Sequence, residues 1–67
     1  MDPTRSFFDG QGIQWRVTER LLAHPPHHAP RRCLFFEAAH VIRRVCAYPP
    51  NWQSLSDAEL ERLSWSL

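Results

Sequence analysis

The chain has 67 residues, a formal net charge of +1, and apolar and charged fractions of 43% and 22%. This length allows one small domain, and the near-neutral charge argues against binding to a phosphate backbone. No segment approaches the roughly 20 apolar residues of a membrane-spanning helix. We therefore expect a single globular domain (1–67) that is membrane-extrinsic and does not bind nucleic acid.

A first β-hairpin is predicted at 6–21. Residues 6–8 can begin a strand, 9–12 contains two glycines in a turn, and 13–21 alternates well enough to return as a second strand. Ile13, Trp15 and Val17 share one side of that strand, whereas its other side is polar. The apolar side is expected to join the core.

The connector at 22–31 is dense in proline and histidine, which predicts an extended loop. With His40 and the two cysteines, its histidines supply enough ligand types for zinc, but their spacing does not fit a tetrahedral site. A zinc-dependent domain is thus an alternative, and we expect neither a metal nor a cofactor.

A second hairpin is predicted at 32–48, with strands Cys33–Ala38 and Val41–Cys46 around a turn at Ala39 and His40. One face would carry Leu34, Phe36, Val41, Arg43 and Val45. The other would carry Cys33, Phe35, Glu37, Ile42, Arg44, Cys46 and Tyr48. Because neither face reads as the polar, solvated side of a sheet, one of them is expected to contact a partner.

The two cysteines lie directly opposite each other in this register, so a disulfide between Cys33 and Cys46 is geometrically conceivable. The N-terminus lacks the apolar stretch of a secretory signal, which favours a cytoplasmic protein with reduced thiols. A thiol in an apolar strand stays protonated, and a chain this small encloses no substrate pocket. We therefore predict no catalytic residues and no enzymatic activity.

A proline- and tryptophan-containing corner is predicted at 49–55, followed by a helix at 56–64. Tyr48 and Trp52 flank the corner, where they either close the edge of the core or anchor a partner. Ser56 and Glu59 form a capping-box pattern at the start of the helix. Leu60 and Leu63 are expected to dock on the sheet, because so short a helix does not persist alone. The expected fold is α+β: a small antiparallel sheet of about four strands in two hairpins, with one C-terminal helix packed on one face.

Aromatic residues and arginines are the usual anchors of protein interfaces. The residues predicted to contact a partner are Phe7, Phe8, Phe35, Phe36, Arg43, Arg44, Tyr48 and Trp52. Arg43 lies among apolar neighbours, so it is expected to reach an acidic partner or a lipid headgroup. Arg44 lies opposite Phe35 and one diagonal step from Glu37, which predicts a surface ion pair with Glu37.

Several motifs carry a family resemblance. They are Phe8-Asp9, Gly12, Trp15-Arg16-Val17, Glu19, Arg32-Cys33-Leu34-Phe35-Phe36-Glu37, Arg43-Arg44-Val45, Tyr48-Pro49, Trp52 and Leu55-Ser56-Asp57-Ala58-Glu59-Leu60. This set, which covers the chain from Phe8 to Trp65, resembles that of a group of short, uncharacterised bacterial proteins. The group brings no assigned chemistry.

In size and type the chain is also similar to membrane-extrinsic accessory subunits of bacterial photosynthetic reaction centre–light-harvesting 1 complexes. That resemblance implies a non-catalytic structural subunit at the cytoplasmic face of the inner photosynthetic membrane. Its partners would be reaction-centre and light-harvesting subunits, with lipid headgroup contacts through arginine. The alternative is a small regulatory or antitoxin-like module that binds one soluble protein.

Overall fold

The computed structural model describes residues 4–22 and 31–65. They form a four-stranded antiparallel sheet in the order β1-β2-β3-β4, followed by a C-terminal helical segment. The elements are β1 (Thr4–Phe8), β2 (Gln14–Leu22), β3 (Arg31–Glu37), β4 (Ile42–Val45), a 3-10 helix (Trp52–Ser54) and α1 (Asp57–Ser64). The predicted α+β fold is confirmed. Most of the predicted connector, residues 23–30, lies outside the described residues.

The register of the second hairpin is the one that the sequence predicts. Leu34 pairs with Val45 and Phe35 with Arg44. The Ala38 N–H donates to the Val41 carbonyl oxygen at 2.9 Å, which closes the hairpin around Ala39 and His40. The β4 strand is shorter than predicted, because it begins after Val41 and ends before Cys46.

The turn between β1 and β2 is held by Asp9. Its N–H donates to the Ile13 carbonyl at 3.0 Å, and its side chain accepts the N–H groups of Gln11 and Ile13 at 2.8 and 2.9 Å. Gly12 has a φ of +80°, a left-handed conformation that glycine adopts without steric cost. The turn therefore needs both the aspartate acceptor and the glycine.

One side of the sheet, here called the covered face, supplies the core. Its buried members are joined by one residue from the 3-10 helix and one from α1; the cluster is Phe7, Trp15, Val17, Leu34, Phe36, Val45, Trp52 and Leu60. Within it, the Phe7 ring stacks on Trp15 with centroids 6.5 Å apart and meets Phe36 edge-on at 6.3 Å. Period-two alternation of the strands places these residues on one side.

The capping box at the start of α1 is confirmed. The Ser56 hydroxyl accepts the Glu59 N–H at 3.2 Å, and the Glu59 carboxylate accepts the Ser56 N–H at 3.2 Å. This backbone hydrogen bond from Ser56 lowers the pKa of Glu59. As predicted, α1 docks on the sheet: Leu60 is buried, and Leu63 packs against the core.

Polar contacts also fasten the helical segment to the covered face. The Arg5 guanidinium donates to the Gln53 carbonyl at 2.8 Å and to the Asp57 carboxylate at 3.2 Å. Farther along α1, the Glu61 carboxylate accepts the Gly10 N–H of the first turn at 2.7 Å. These contacts tie the start and the middle of α1 to the first hairpin.

Cys33 and Cys46 are joined by a disulfide, so the expectation of reduced thiols is wrong for this structure. The predicted register explains the bond. It brings the two Cα atoms to 4.1 Å, close to the separation of about 4.5 Å found for directly opposed residues in a non-hydrogen-bonded antiparallel pair. Reduced thiols were expected because the cytoplasm is a reducing compartment. The strand register places the two cysteines opposite each other whatever the compartment.

Candidate interaction surface

The second side of the sheet, here called the open face, has no described helix packed on it. The register assigns to it Thr4, Ser6, Phe8, Gln14, Arg16, Thr18, Arg20, Leu22, Arg31, Cys33, Phe35, Glu37, Ile42 and Arg44. Phe8 and Ile42 expose 58% and 67% of their surface. Most of the open face is therefore available for contact, although two of its residues, Thr18 and Cys33, are buried.

Charge is unevenly divided between the two sides of the molecule. The open face carries four arginines (Arg16, Arg20, Arg31 and Arg44) and a single carboxylate (Glu37), which gives it a formal net charge of +3. The rest of the described chain carries four arginines and five carboxylates, a formal net charge of −1. A chain that is almost neutral overall thus presents one strongly basic surface.

Glu37 lies between two arginines of the neighbouring strand. Its carboxylate oxygens are 3.5 Å from the Arg16 guanidinium and 3.8 Å from that of Arg20. The Arg20 guanidinium also lies over the Phe35 ring, 5.3 Å from its centroid. Exposed pairs at these distances contribute little stability, so they leave the arginines free to exchange partners.

The predicted ion pair between Arg44 and Glu37 does not form. Arg16 lies directly opposite Glu37 in the β2–β3 register, whereas Arg44 is only a diagonal neighbour on the other side. Among the described residues, neither Arg44 nor Arg31 has an ion-pair partner. These two guanidinium groups are available to an external anion.

The structure divides the predicted interface residues into two groups. Phe8, Phe35 and Arg44 lie on the open face. Phe7, Phe36 and Trp52 expose 2%, 0% and 2% of their surface and belong to the core, which corrects their assignment to an interface. The physical reason is strand alternation, which turns neighbours such as Phe7 and Phe8 to opposite sides.

Tyr48, another predicted interface residue, closes the edge of the core. It is half-buried against the core cluster, and its hydroxyl donates to the Glu19 carboxylate at 2.5 Å. Burial, followed by this hydrogen bond, raises the pKa of Tyr48 to about 12. Of the two roles weighed for Tyr48 and Trp52, the structure supports the core-edge role.

Arg43 finds its partners within the chain. It lies on the covered face, where its guanidinium is 4.8 Å from the centroid of the Trp15 ring and 3.5 Å from that of Trp65. It also donates to the Ser64 hydroxyl at 3.3 Å. An arginine among apolar residues is therefore accommodated by two aromatic rings instead of the expected acidic partner or lipid headgroup. Sequence reasoning missed Trp65, because only the docking of α1 brings it to β4.

Asp9 is also engaged internally. Besides the two turn N–H groups, its carboxylate accepts the Trp15 indole N–H at 2.9 Å. The Trp15 hydrogen bond, followed by the Ile13 backbone bond, lowers the pKa of Asp9. The carboxylate thus links the first turn to a core tryptophan.

Both hairpin turns lie at the same end of the sheet, where exposed apolar residues flank turn residues that include the polar Gln11 and His40. We call the apolar tip the five exposed residues Phe8, Ile13, Val41, Ile42 and Trp65, which expose between 43% and 67% of their surface. A groove of about 480 Å³ lies between the first turn, β4 and the end of α1. Its lining includes Ile13, Val41, Trp65 and Arg43, together with the carboxylates of Asp9 and Glu61. Of these five residues only Phe8 is predicted from the sequence to contact a partner, because the group is brought together by the pairing of β2 with β3.

The described residues contain no group of three or more metal-ligating side chains. Three of the four histidines, at positions 24, 27 and 28, lie outside the described part of the chain. No helix in the described ranges is long and apolar enough to cross a membrane. Comparison of the chain with family models, curated proteins and solved structures finds no match in any of the three.

Proposed function

We propose that this chain is a non-catalytic docking subunit that binds a larger assembly at a membrane surface through its open face. The observation that carries the proposal is the charge of this face, where four arginines face one carboxylate. Arginine is favoured at interfaces because its planar fork makes paired hydrogen bonds and stacks on aromatic rings. The surface is suited to an acidic partner.

In its narrowest form, the proposal names a bacterial photosynthetic reaction centre–light-harvesting complex as the assembly. Its support is the resemblance in size and type described above. Reaction-centre and light-harvesting subunits would then be the protein partners, and the chain itself would hold no pigment or other cofactor. The broader proposal, an acidic assembly at a membrane surface, does not depend on this identification.

The test is recovery of the tagged chain from gently solubilised membranes of its native host. Mass spectrometry identifies the co-purifying polypeptides, and near-infrared absorbance reports bound pigment. Pigment together with reaction-centre polypeptides supports the narrow form. A membrane assembly without pigment supports the broad form and removes the narrow one.

Paired variants connect that recovery to the open face. The double change Arg31→Gln and Arg44→Gln removes two guanidinium groups that have no ion-pair partner among the described residues, so the fold should be retained. If each contributes more than about 1 kcal/mol to binding, the affinity for the assembly falls by about 30-fold or more, and its recovery falls with it. Arg62→Gln, an exposed arginine on α1, is the matched control and should leave recovery unchanged. Equal losses of recovery for the double variant and for Arg62→Gln would show that the open face is not the interface.

The expected position at the cytoplasmic face of the inner membrane is also part of the proposal. A disulfide persists in an oxidising compartment and is reduced in the cytoplasm. The oxidation state of Cys33 and Cys46 therefore indicates on which side of the membrane the chain lies. Rapid alkylation of intact cells, followed by mass spectrometry, measures that state. Alkylated cysteines support the cytoplasmic face, whereas an intact disulfide contradicts it.

The alternative is a regulatory or antitoxin-like module that binds one soluble protein. The same basic face would serve an acidic soluble partner. Recovery of the tagged chain in the soluble fraction with a single stoichiometric partner would support this alternative and overturn the membrane assembly.

A further inference from the structure

Docking of the open face on a protein would cover only part of the apolar tip, because Phe8 and Ile42 lie on that face whereas Ile13, Val41 and Trp65 line the groove beside the end of α1. Phe8, Val41 and Ile42 expose 58%, 43% and 67% of their surface, and Trp65 exposes 64%. A monomeric protein rarely groups large apolar side chains at its surface unless they contact something. Leu21, at the opposite end of the sheet, is the one other large apolar side chain so exposed within the described ranges.

The topology explains why these residues gather at one end. Because β2 and β3 are antiparallel and neighbouring, the β1–β2 and β3–β4 turns lie side by side. Each turn is flanked by apolar residues: Phe8 and Ile13 at the first, Val41 and Ile42 at the second. The C-terminal end of α1 adds Trp65 beside them.

Arginines lie directly behind the tip. Arg16 pairs with Glu37, which pairs with Ile42, so Arg16 lies in the same row of the open face as Ile42, two strands away. Arg44 is one row farther along β4, and Arg43 stacks under Trp65. Three carboxylates lie near the tip. Those of Asp9 and Glu61 accept N–H groups of the chain, and that of Glu37, the cross-strand partner of Ile42, lies 3.5 Å from the Arg16 guanidinium.

We propose that the apolar tip inserts into the headgroup region of an anionic phospholipid bilayer, with Arg16 and Arg44 of the open face contacting lipid phosphates. A basic surface that ends in exposed apolar residues matches such a bilayer, whose headgroups are negative and whose interior is apolar. Tryptophan and snorkelling arginine are the residues that favour this interface. The inference rests on the proposed membrane location and adds that this chain binds lipid without a protein partner.

The test uses the purified full chain and protein-free vesicles of phosphatidylcholine, alone or with phosphatidylglycerol. Trp15 and Trp52 are buried and Trp65 is exposed, so a change in tryptophan emission on binding reports mainly Trp65. We expect a blue shift with the anionic vesicles, and quenching of this emission by lipids brominated near the headgroup end of their chains. An unchanged spectrum with both vesicle types would overturn the proposal.

Three variants determine whether the tip is responsible. The tip variant combines Phe8→Thr with Ile42→Thr, which retains a residue suited to strands at both exposed positions. Removal of about 1.4 kcal/mol of burial at each site predicts a loss of vesicle affinity of roughly 100-fold. Leu21→Thr is the matched control at the other end of the sheet, and its affinity should be unchanged. Arg16→Gln should lose about fivefold, and that loss should vanish at high salt.

Equal losses for the tip variant and Leu21→Thr would overturn the proposal, as would vesicle binding that high salt abolishes entirely. If the wild-type chain binds neither vesicle type but binds an acidic soluble protein, the tip contacts a protein partner and the lipid proposal is overturned. The two proposals fail separately. Vesicle binding without recovery of any membrane assembly leaves the lipid inference in place and removes the docking subunit, whereas the reverse result removes the lipid inference alone.

Discussion

The two faces of the sheet differ although they are built from alternate residues of the same strands. Phe36 and Arg43 are directly paired on the covered face, where the phenylalanine is fully buried and the arginine stacks on two tryptophans. Their chain neighbours Phe35 and Arg44 are directly paired on the open face. A directly paired phenylalanine and arginine therefore stabilise the fold on one face, whereas the same two residue types are available for binding on the other.

The two faces are also held by different interactions. The covered face is stabilised by close packing of side chains from strands and helix. The open face has a covalent link between Cys33 and Cys46 and long ion pairs around Glu37. A face with no helix packed on it is not held by a core layer, and the disulfide links its strands without covering it.

The largest effect is expected from the core phenylalanine. Phe36→Ala should lower the free energy of unfolding by about 3–5 kcal/mol, which is comparable to the whole stability of a domain of this size. Phe35→Ala, the matched change on the open face, should cost only about 1 kcal/mol. Urea denaturation followed by circular dichroism measures both, and Phe36→Leu provides a milder variant if Phe36→Ala does not fold. Equal losses in the free energy of unfolding for Phe35→Ala and Phe36→Ala would mean that the two faces do not differ in burial.

The disulfide gives the next largest effect. It closes a loop with a sequence separation of 13, for which loop entropy predicts a stabilisation of about 3 kcal/mol. Urea denaturation with and without a strong reductant measures this difference, and a Cys33→Ala, Cys46→Ala double variant should not respond to the reductant. A wild-type protein that is equally stable in both conditions would contradict the assignment.

The arginine pair distinguishes the faces more finely. Arg43→Ala removes contacts with the rings of Trp15 and Trp65 and with the Ser64 hydroxyl, so stability should fall by about 1–2 kcal/mol. Arg44→Ala removes no described ion pair and should change stability by less than about 0.5 kcal/mol. Thermal unfolding of the two variants at equal ionic strength compares them. A larger loss at position 44 would reverse the assignment of the faces.

The smallest effect concerns pH. The pKa of Asp9 is lowered from its ordinary value of 3.8, chiefly by the Trp15 indole N–H, so its contribution to stability is present above that value. The contribution is lost as the pH falls through the lowered folded-state pKa. The indole N–H resonance of Trp15 should therefore titrate with a midpoint below 3.8, and Asp9→Asn should abolish that titration. A midpoint at or above 3.8 would show that the turn does not hold the carboxylate.

The sequence predicted much of the fold, since the signals were local. Alternation about Trp15 and Val17 identified a core strand, and the residue pair Ser56 and Glu59 located the start of α1. The predicted two-residue turn fixed the pairing of Leu34 with Val45. Each of these features depends on residues a few positions apart, which a single sequence displays directly.

The candidate surface was predicted less well. Phe8, Phe35 and Arg44 were assigned to an interface and lie on the open face, but Phe7, Phe36 and Trp52 were assigned with them and are buried. Composition and residue type cannot distinguish Phe35 from Phe36. The distinction requires knowing which side of the sheet α1 covers, and that depends on contacts between segments far apart in the chain.

The sequence by itself determined the strands, the hairpin register and the capped helix, because hydrophobic periodicity, turn residues and capping residues act over short distances. Only the tertiary structure decided which face is open, gathered four of the eight arginines there, and joined the residues of the apolar tip. The physical reason is that net charge and composition are sums over the chain, whereas a binding surface depends on where the fold directs each side chain.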